Sequence, residues 1–218
     1  LRSVRRLTGS ATGRLRITLT RGDGPPGYRT PRSPRPRSIL RFDAQPLQAA
    51  ADRPHAPVRL RLCTTRIGIS PALAGIKHLN RLEQVLARQE WDDPGIFEGL
   101  MQDVEGQLVC GTATNLFLLR PDGLLITPRL DRAGIAGTVR ALVLEEAQRL
   151  GLPCQEARVD LASLRASAAL FVTNALNGLV PAKTCEGQTF DPERIPLALI
   201  EAVQRRAFSI SENPRLEP

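Results

Sequence analysis

Side-chain amines are scarce in this sequence. Of its 30 basic residues, two are lysine, Lys77 and Lys183, and 28 are arginine. The difference matters for chemistry, since a Schiff base needs a nucleophilic amine and a guanidinium does not supply one. Lys77 stands in AGIKHLN, between a Pro-containing segment and a helical pattern. Apolar neighbours can desolvate an ammonium, lower its pKa and prepare the amine to attack a carbonyl. The plainer reading is a surface lysine near a helix start. Lys183, followed by Thr184 and Cys185, reads as a solvated position at the end of a strand.

A second cluster lies in AGIAGTVRALVLEEA, where Gly134 and Gly137 precede a strong helical pattern. The first-turn amides of a helix have no acceptor within it, so the N–H groups of Thr138 and Val139, with the Thr138 hydroxyl, can hold a phosphate. Ordinary turn glycines before a helix are the competing explanation. NALNG at 174–178, after an apolar strand pattern, can form a second loop over the same group, or an ordinary turn. The cysteines Cys63, Cys110, Cys154 and Cys185 form no CxxC, and with only His55 and His78 available a zinc site would need an unusual ligand set. No metal is expected, and a reduced, cytoplasmic setting is the default.

These groups need elements to place them. RLRITLT at 14–20 alternates as a half-buried strand, and strands are also expected at 39–44 and 57–63. TPRSPRPRS at 30–38 must be a loop, because proline removes ladder donors. RIGISPALAG (66–75) is linker-like, and after it Leu79, Leu82, Val85 and Leu86 repeat at helical spacing, which puts Lys77 at or just before a helix start. Short strands follow over 96–126, with turns at Glu105-Gly106 and Pro121-Asp122-Gly123. The clearest helix runs from Gly137 to Leu150, stopped by Gly151. Strands near 154–159, 169–174 and 179–184, a short helix at 160–166 and a helix over 195–207 complete an α+β pattern, with a frayed tail SISENPRLEP. A GxGxxG loop and a Walker A loop are both missing.

The net charge of +8 is uneven, with 15 arginines against three acids in residues 1–69. A basic third raises a nucleic-acid reading. RTPRSPRPRSILR, however, has no interleaved aromatic residues to stack on bases. Neither a membrane-spanning apolar run nor a secretory leader is visible. Neither nucleic acid nor a membrane is an expected partner.

KHLNRLEQVLARQEW, GTATNLFLL, ITPRLDRAGIAGTVR and FVTNALNGLVPAK together resemble the fold-type IV pyridoxal-phosphate enzymes, and within them the aminodeoxychorismate lyases; TRGDGPPGY is similar to a lyase strand-turn segment. KHLNRLEQVLAR is the lyase-specific part, and the other segments are shared with branched-chain and D-amino-acid aminotransferases. The resemblance implies a two-domain α+β fold, with 1–68 the remainder of a smaller N-terminal α/β domain, 69–76 a linker and 77–214 a larger cofactor-binding domain. The early N-domain strands of the family have no counterpart in residues 1–13, so the first domain is expected to be truncated.

By the same resemblance Lys77 is the Schiff-base lysine and pyridoxal 5'-phosphate the cofactor. Gly137, Thr138, Val139, Asn174 and Ala175 hold its phosphate. Arg81 lines the cofactor side, while Asn80 and Tyr28 line the substrate side. Cys110 stands where the family has the glutamate that partners the pyridine nitrogen. The implied activity is elimination of pyruvate from aminodeoxychorismate, a small anionic substrate, to give 4-aminobenzoate for folate biosynthesis, in a homodimer. Alternatives are an aminotransferase on the same fold, or a catalytically impaired lyase relative, which the Cys110 replacement motivates.

Overall fold

A computed structural model describes residues 13–44 and 56–208. The chain divides into two compact units, Leu1–Asp52 and Arg53–Pro218. The division falls before the linker expected at 69–76, because residues 58–62 form an interior strand of the large sheet. The tail expected to fray lies outside the described residues, as do residues 45–55 between the strands expected at 39–44 and 57–63.

In the first unit β1 (Gly13–Thr20) pairs antiparallel with β2 (Arg37–Ala44), Gly13 opposite Ala44 and Thr20 opposite Arg37. Alternation sends Leu15, Ile17, Leu19, Leu40 and Phe42 to one face and Arg14, Arg16, Arg37 and Arg41 to the other. The half-buried strand expected at 14–20 is only partly so: Ile17 and Leu19 are 65% and 70% exposed. A two-stranded ribbon has no second layer of its own to cover an apolar face.

The second unit carries β3 (Val58–Leu62), α1 (Leu82–Arg88), β4 (Ile96–Gln102), β5 (Leu108–Gly111), β6 (Asn115–Leu119) and β7 (Leu125–Pro128). There follow α2 (Thr138–Arg149), β8 (Cys154–Ala157), α3 (Leu161–Arg165), β9 (Ala169–Asn174), β10 (Gly178–Cys185), β11 (Gln188–Thr189), a 3-10 turn at Pro192–Arg194 and α4 (Leu197–Phe208). Strand order is β5-β4-β3-β10-β9-β6-β7-β8, with β11 against β10. β3 runs parallel to both its neighbours and β7 parallel to β8, while the other pairs are antiparallel. The outer strands approach each other: the Leu108 amide of β5 donates to Val159 O, just past β8, at 2.7 Å. The sheet is thereby curled into a near-closed barrel.

Period-two alternation divides the core between the two faces of this sheet. Leu116 and Leu118 of β6, with Leu170 and Val172 of β9, fill the concave side with Leu60, Leu100, Leu108 and Ile126. Phe117 and Phe171 stack at 4.9 Å on the other side, where Val139, Val143 and Ala147 of α2 and Leu199 and Val203 of α4 cover them. Among the described residues no helix is long and apolar enough to cross a membrane.

One expected element differs. The helix after Lys77 starts only at Leu82, which leaves Leu79 outside it, and the apolar repeat faces outward: Leu79, Leu82, Val85 and Leu86 are 72%, 64%, 52% and 48% exposed. Ala87 is the buried residue of α1.

Candidate active site

The segment leading to Lys77 is laid against the segment leading to α2. The Ser70 amide donates to Arg132 O at 2.8 Å, the Gly75 amide to Gly134 O at 3.0 Å, and the Ala136 amide back to Gly75 O at 3.0 Å. Gly75 and Ile135 form a parallel bridge. Both chains therefore leave it in the same direction, with Lys77 two residues beyond on one and Gly137 two residues beyond on the other. Gly134 makes this approach feasible: its φ is +90°, and a Cβ there would strike Leu130 and Val109.

Lys77 is exposed and lies in irregular chain, so the desolvation expected from its apolar neighbours is not provided by the chain around it. The next residues stay out of helical conformation because Arg81, the N-cap of α1, folds back over them. Its guanidinium donates to Ile76 O at 2.9 Å and His78 O at 3.1 Å, bracketing Lys77. Desolvation is the largest influence on the Arg81 pKa and lowers it, and the charge of Glu83 opposes. Asn80 is exposed beside it. Tyr28 is exposed in the first unit.

At α2, Gly137 is an extended N-cap (φ −69°, ψ 145°) without a side chain to satisfy the amides of Thr138 and Val139. Thr138 is exposed and Val139 buried. Asn115, missed as a site residue although NLFLL drew notice, fixes this helix start. It is buried, donates from Nδ2 to Ile135 O at 2.7 Å, and lies so near Gly137 that a Cβ there would collide with its Oδ1. Its cross-strand partner is Thr173, whose hydroxyl is buried without a hydrogen-bond partner among the described residues. Asn174 follows directly. Its Oδ1 accepts from the Leu176 and Asn177 amides at 3.0 and 2.8 Å, closing a side-chain turn that leaves Ala175 exposed. Register thus brings Asn115, Thr173 and the 174–178 loop to the sheet end where α2 begins. Arg140 holds that end from behind, through Pro128 O at 3.0 Å and Glu156 at 2.5 Å.

Cys110 ends up 7% exposed in β5, opposite Met101. Burial above all, with the charge of Glu98 adding and that of Arg81 opposing, pushes its thiol up to about 12. It is a neutral group in the folded chain. Glu98 was invisible to sequence reasoning because three of its four donors lie 14 or 15 residues away. Among the described residues no group of three or more His, Cys, Asp or Glu is placed to hold a metal ion.

This arrangement has recognisable relatives. Residues 1–185 match the family described as amino-transferase class IV. An aminodeoxychorismate lyase of Vibrio harveyi is 34% identical over 167 residues, 77% of this chain and 61% of the relative, so the chain spans about three fifths of that protein's length. The crystal structure of 4-amino-4-deoxychorismate lyase from Pseudomonas aeruginosa superposes with a TM-score of 0.79 at 38% identity, covering 88% of this chain and 69% of the other. The branched-chain amino acid aminotransferase of Escherichia coli shares the fold, with a TM-score of 0.68 at 21% identity over 88% of this chain and 64% of that one. The chain belongs to the class IV aminotransferase family, the fold-type IV enzymes that use pyridoxal phosphate.

Proposed function

We propose that the chain is a 4-amino-4-deoxychorismate lyase that eliminates pyruvate and leaves 4-aminobenzoate, a folate precursor. The observation that carries this reading is the Gly75–Ile135 bridge, which sets an exposed lysine beside a helix start without a side-chain cap. The fit to pyridoxal 5'-phosphate is supported independently by the buried, unpartnered Thr173 hydroxyl at the same sheet end. Thr138, Val139, Asn174 and Ala175 would hold its phosphate. Lyase over aminotransferase is favoured by KHLNRLEQVLAR and by identities of 34% and 38% to the two lyases.

Bound there, the cofactor supplies an electron sink for bond cleavage at an amine-bearing carbon. The chain's own part is proton handling and recognition. Lys77 Nζ would hold the cofactor, and as a free amine it would take the hydrogen from the amine-bearing ring carbon and return a proton toward the departing enolpyruvyl oxygen. Arg81, its guanidinium fixed over the Lys77 loop, faces an anionic substrate with a permanent charge. Asn80, three residues past Lys77, would lie on the substrate side. A homodimer would bury the apolar strip around Lys77, Leu79 and Leu82. A cytoplasmic location fits the four free cysteines.

The test is product analysis. Pyruvate and 4-aminobenzoate formed from aminodeoxychorismate without a keto-acid acceptor support the lyase; a requirement for the acceptor would make it an aminotransferase. Lys77→Ala should abolish product and the visible absorbance of the bound cofactor, and a retained band would sink the Lys77 assignment. Cys110 favours a second reading, a catalytically impaired relative, because a neutral thiol cannot pair with a pyridinium as a carboxylate does. Cofactor binding without turnover would select it.

A further inference from the structure

Glu98 is a buried charge that the chemistry above leaves unused. It sits in β4, 4% exposed, and among the described residues no cation forms a salt bridge with it. Its Oε1 accepts from the Gly99 amide at 2.9 Å, the Thr112 amide at 3.2 Å and the Thr112 hydroxyl at 2.6 Å; its Oε2 accepts from the Ala113 amide at 2.9 Å. A carboxylate is acceptor-only, so four converging donors suit it and an amide NH2 would meet them donor to donor. Three of these donors belong to the turn between β5 and β6, which is closed by Gly111 N to Thr114 O at 2.9 Å and tied to β4 by Thr112 N to Gly99 O at 3.0 Å. A Cβ on Gly111 would collide with both Glu98 and Thr114, so the turn and the carboxylate fit without slack.

Cys110 and Gly111 enter this turn, and Asn115, one residue past it, is hydrogen-bonded to Ile135 O and packed on Gly137. We propose that Glu98 is a positioning residue: by anchoring the β5–β6 turn it sets Asn115, and through Asn115 the open amides at the start of α2. The inference rests on the reading of that helix start as a phosphate site.

Glu98→Gln, Thr112→Val and Thr112→Ser test it, with Leu164→Ala, a buried residue of α3, as a control for general destabilisation. Two quantities are measured: the Kd for pyridoxal phosphate by equilibrium dialysis, and, without cofactor, amide exchange at Ala136 and Ala141, which donate to Gly75 O and Gly137 O. Glu98→Gln should weaken binding about tenfold and speed exchange at both amides, the scale expected for a lost charge-assisted hydrogen bond. Thr112→Val, which keeps the carboxylate and should fold, is expected to shift both in the same direction by less, and Thr112→Ser to restore parental values. Parental affinity and exchange in Glu98→Gln would overturn the proposal, as would an equal loss in Leu164→Ala at the same Tm. Should Glu98→Gln not fold, Thr112→Val decides by the same criteria. If the parent chain fails to bind pyridoxal phosphate, the phosphate-site reading falls and the exchange measurement still decides the positioning role.

Discussion

The thiols of Cys63, Cys110 and Cys185 are pushed up to about 12 and that of Cys154 to about 11, burial being the largest cause in each. The thiolate is the reactive form, so near neutral pH all four should resist alkylation while the chain is folded. Native chain treated with a disulfide reagent should react slowly, the half-buried Cys154 first, and release all four thiols only in denaturant. Rapid modification of Cys110 would show an ionised group and reopen the question of an anionic partner for a pyridinium. Lys77 and Cys110 were legible in the sequence for different reasons: lysine is scarce there, and the cysteine interrupts a family pattern. Glu98 and Asn115 were not, because Glu98 meets Thr112 and Ala113 only across the β4–β5 pairing, and Asn115 meets Ile135 O, 20 residues along, only after the chain has folded back on it.

Among the elements, α2 was readable and α1 was not. The apolar residues of α2 meet the sheet as their periodicity requires, Val143 and Ala147 being fully buried. Those of α1 carry an equally good period but are held outward by contacts at the helix ends. Beyond the last turn, Glu90 accepts from the Thr64 and Thr65 amides at 2.7 Å each, and Arg61 reaches Glu90 O at 2.7 Å. Arg88 lies over the Trp91 ring at 4.5 Å and donates to Trp91 O at 2.7 Å. This clamp joins α1 to the chain after β3, which runs on to Lys77. Burial alone would raise the Glu90 pKa, but hydrogen bonds from Thr64 and Thr65 outweigh it and hold it at about 2. A depressed carboxylate adds stability that is complete above its ordinary value of 4.5 and is lost as pH falls from there toward 2. Glu90→Gln should therefore cost about 1–3 kcal/mol at pH 7, the scale of a lost charge-assisted hydrogen bond. The gap to the parent should close on acidification. Urea unfolding at pH 7, 4 and 3 measures it, and a cost independent of pH would show that the clamp does not depend on the charge.

For the molecule as a whole, the two units differ in what holds them. The second has buried layers on both faces of its sheet. In the first, the ribbon's described ion pairs, Arg14 and Arg41 with Asp43 and Arg37 with Asp23, are solvent-facing. Surface pairs of this kind contribute at most about 1 kcal/mol each, and Leu40, like Ile17 and Leu19, stays more than half exposed. The strand pattern at 14–20 was legible because alternation is local; its lack of cover was not, because burial depends on what packs above it. Contact-poor elements open at low free energy, whereas buried central strands exchange only near global unfolding. Hydrogen exchange across a urea series should therefore show amides of Gly13–Thr20 and Arg37–Ala44 losing protection at lower urea than those of Asn115–Leu119 and Ala169–Asn174. A chain beginning at Arg53 should keep the second transition with its midpoint little changed. Coincident loss of protection in both units, or collapse of the shortened chain, would mean that the two units depend on each other for stability and unfold as one.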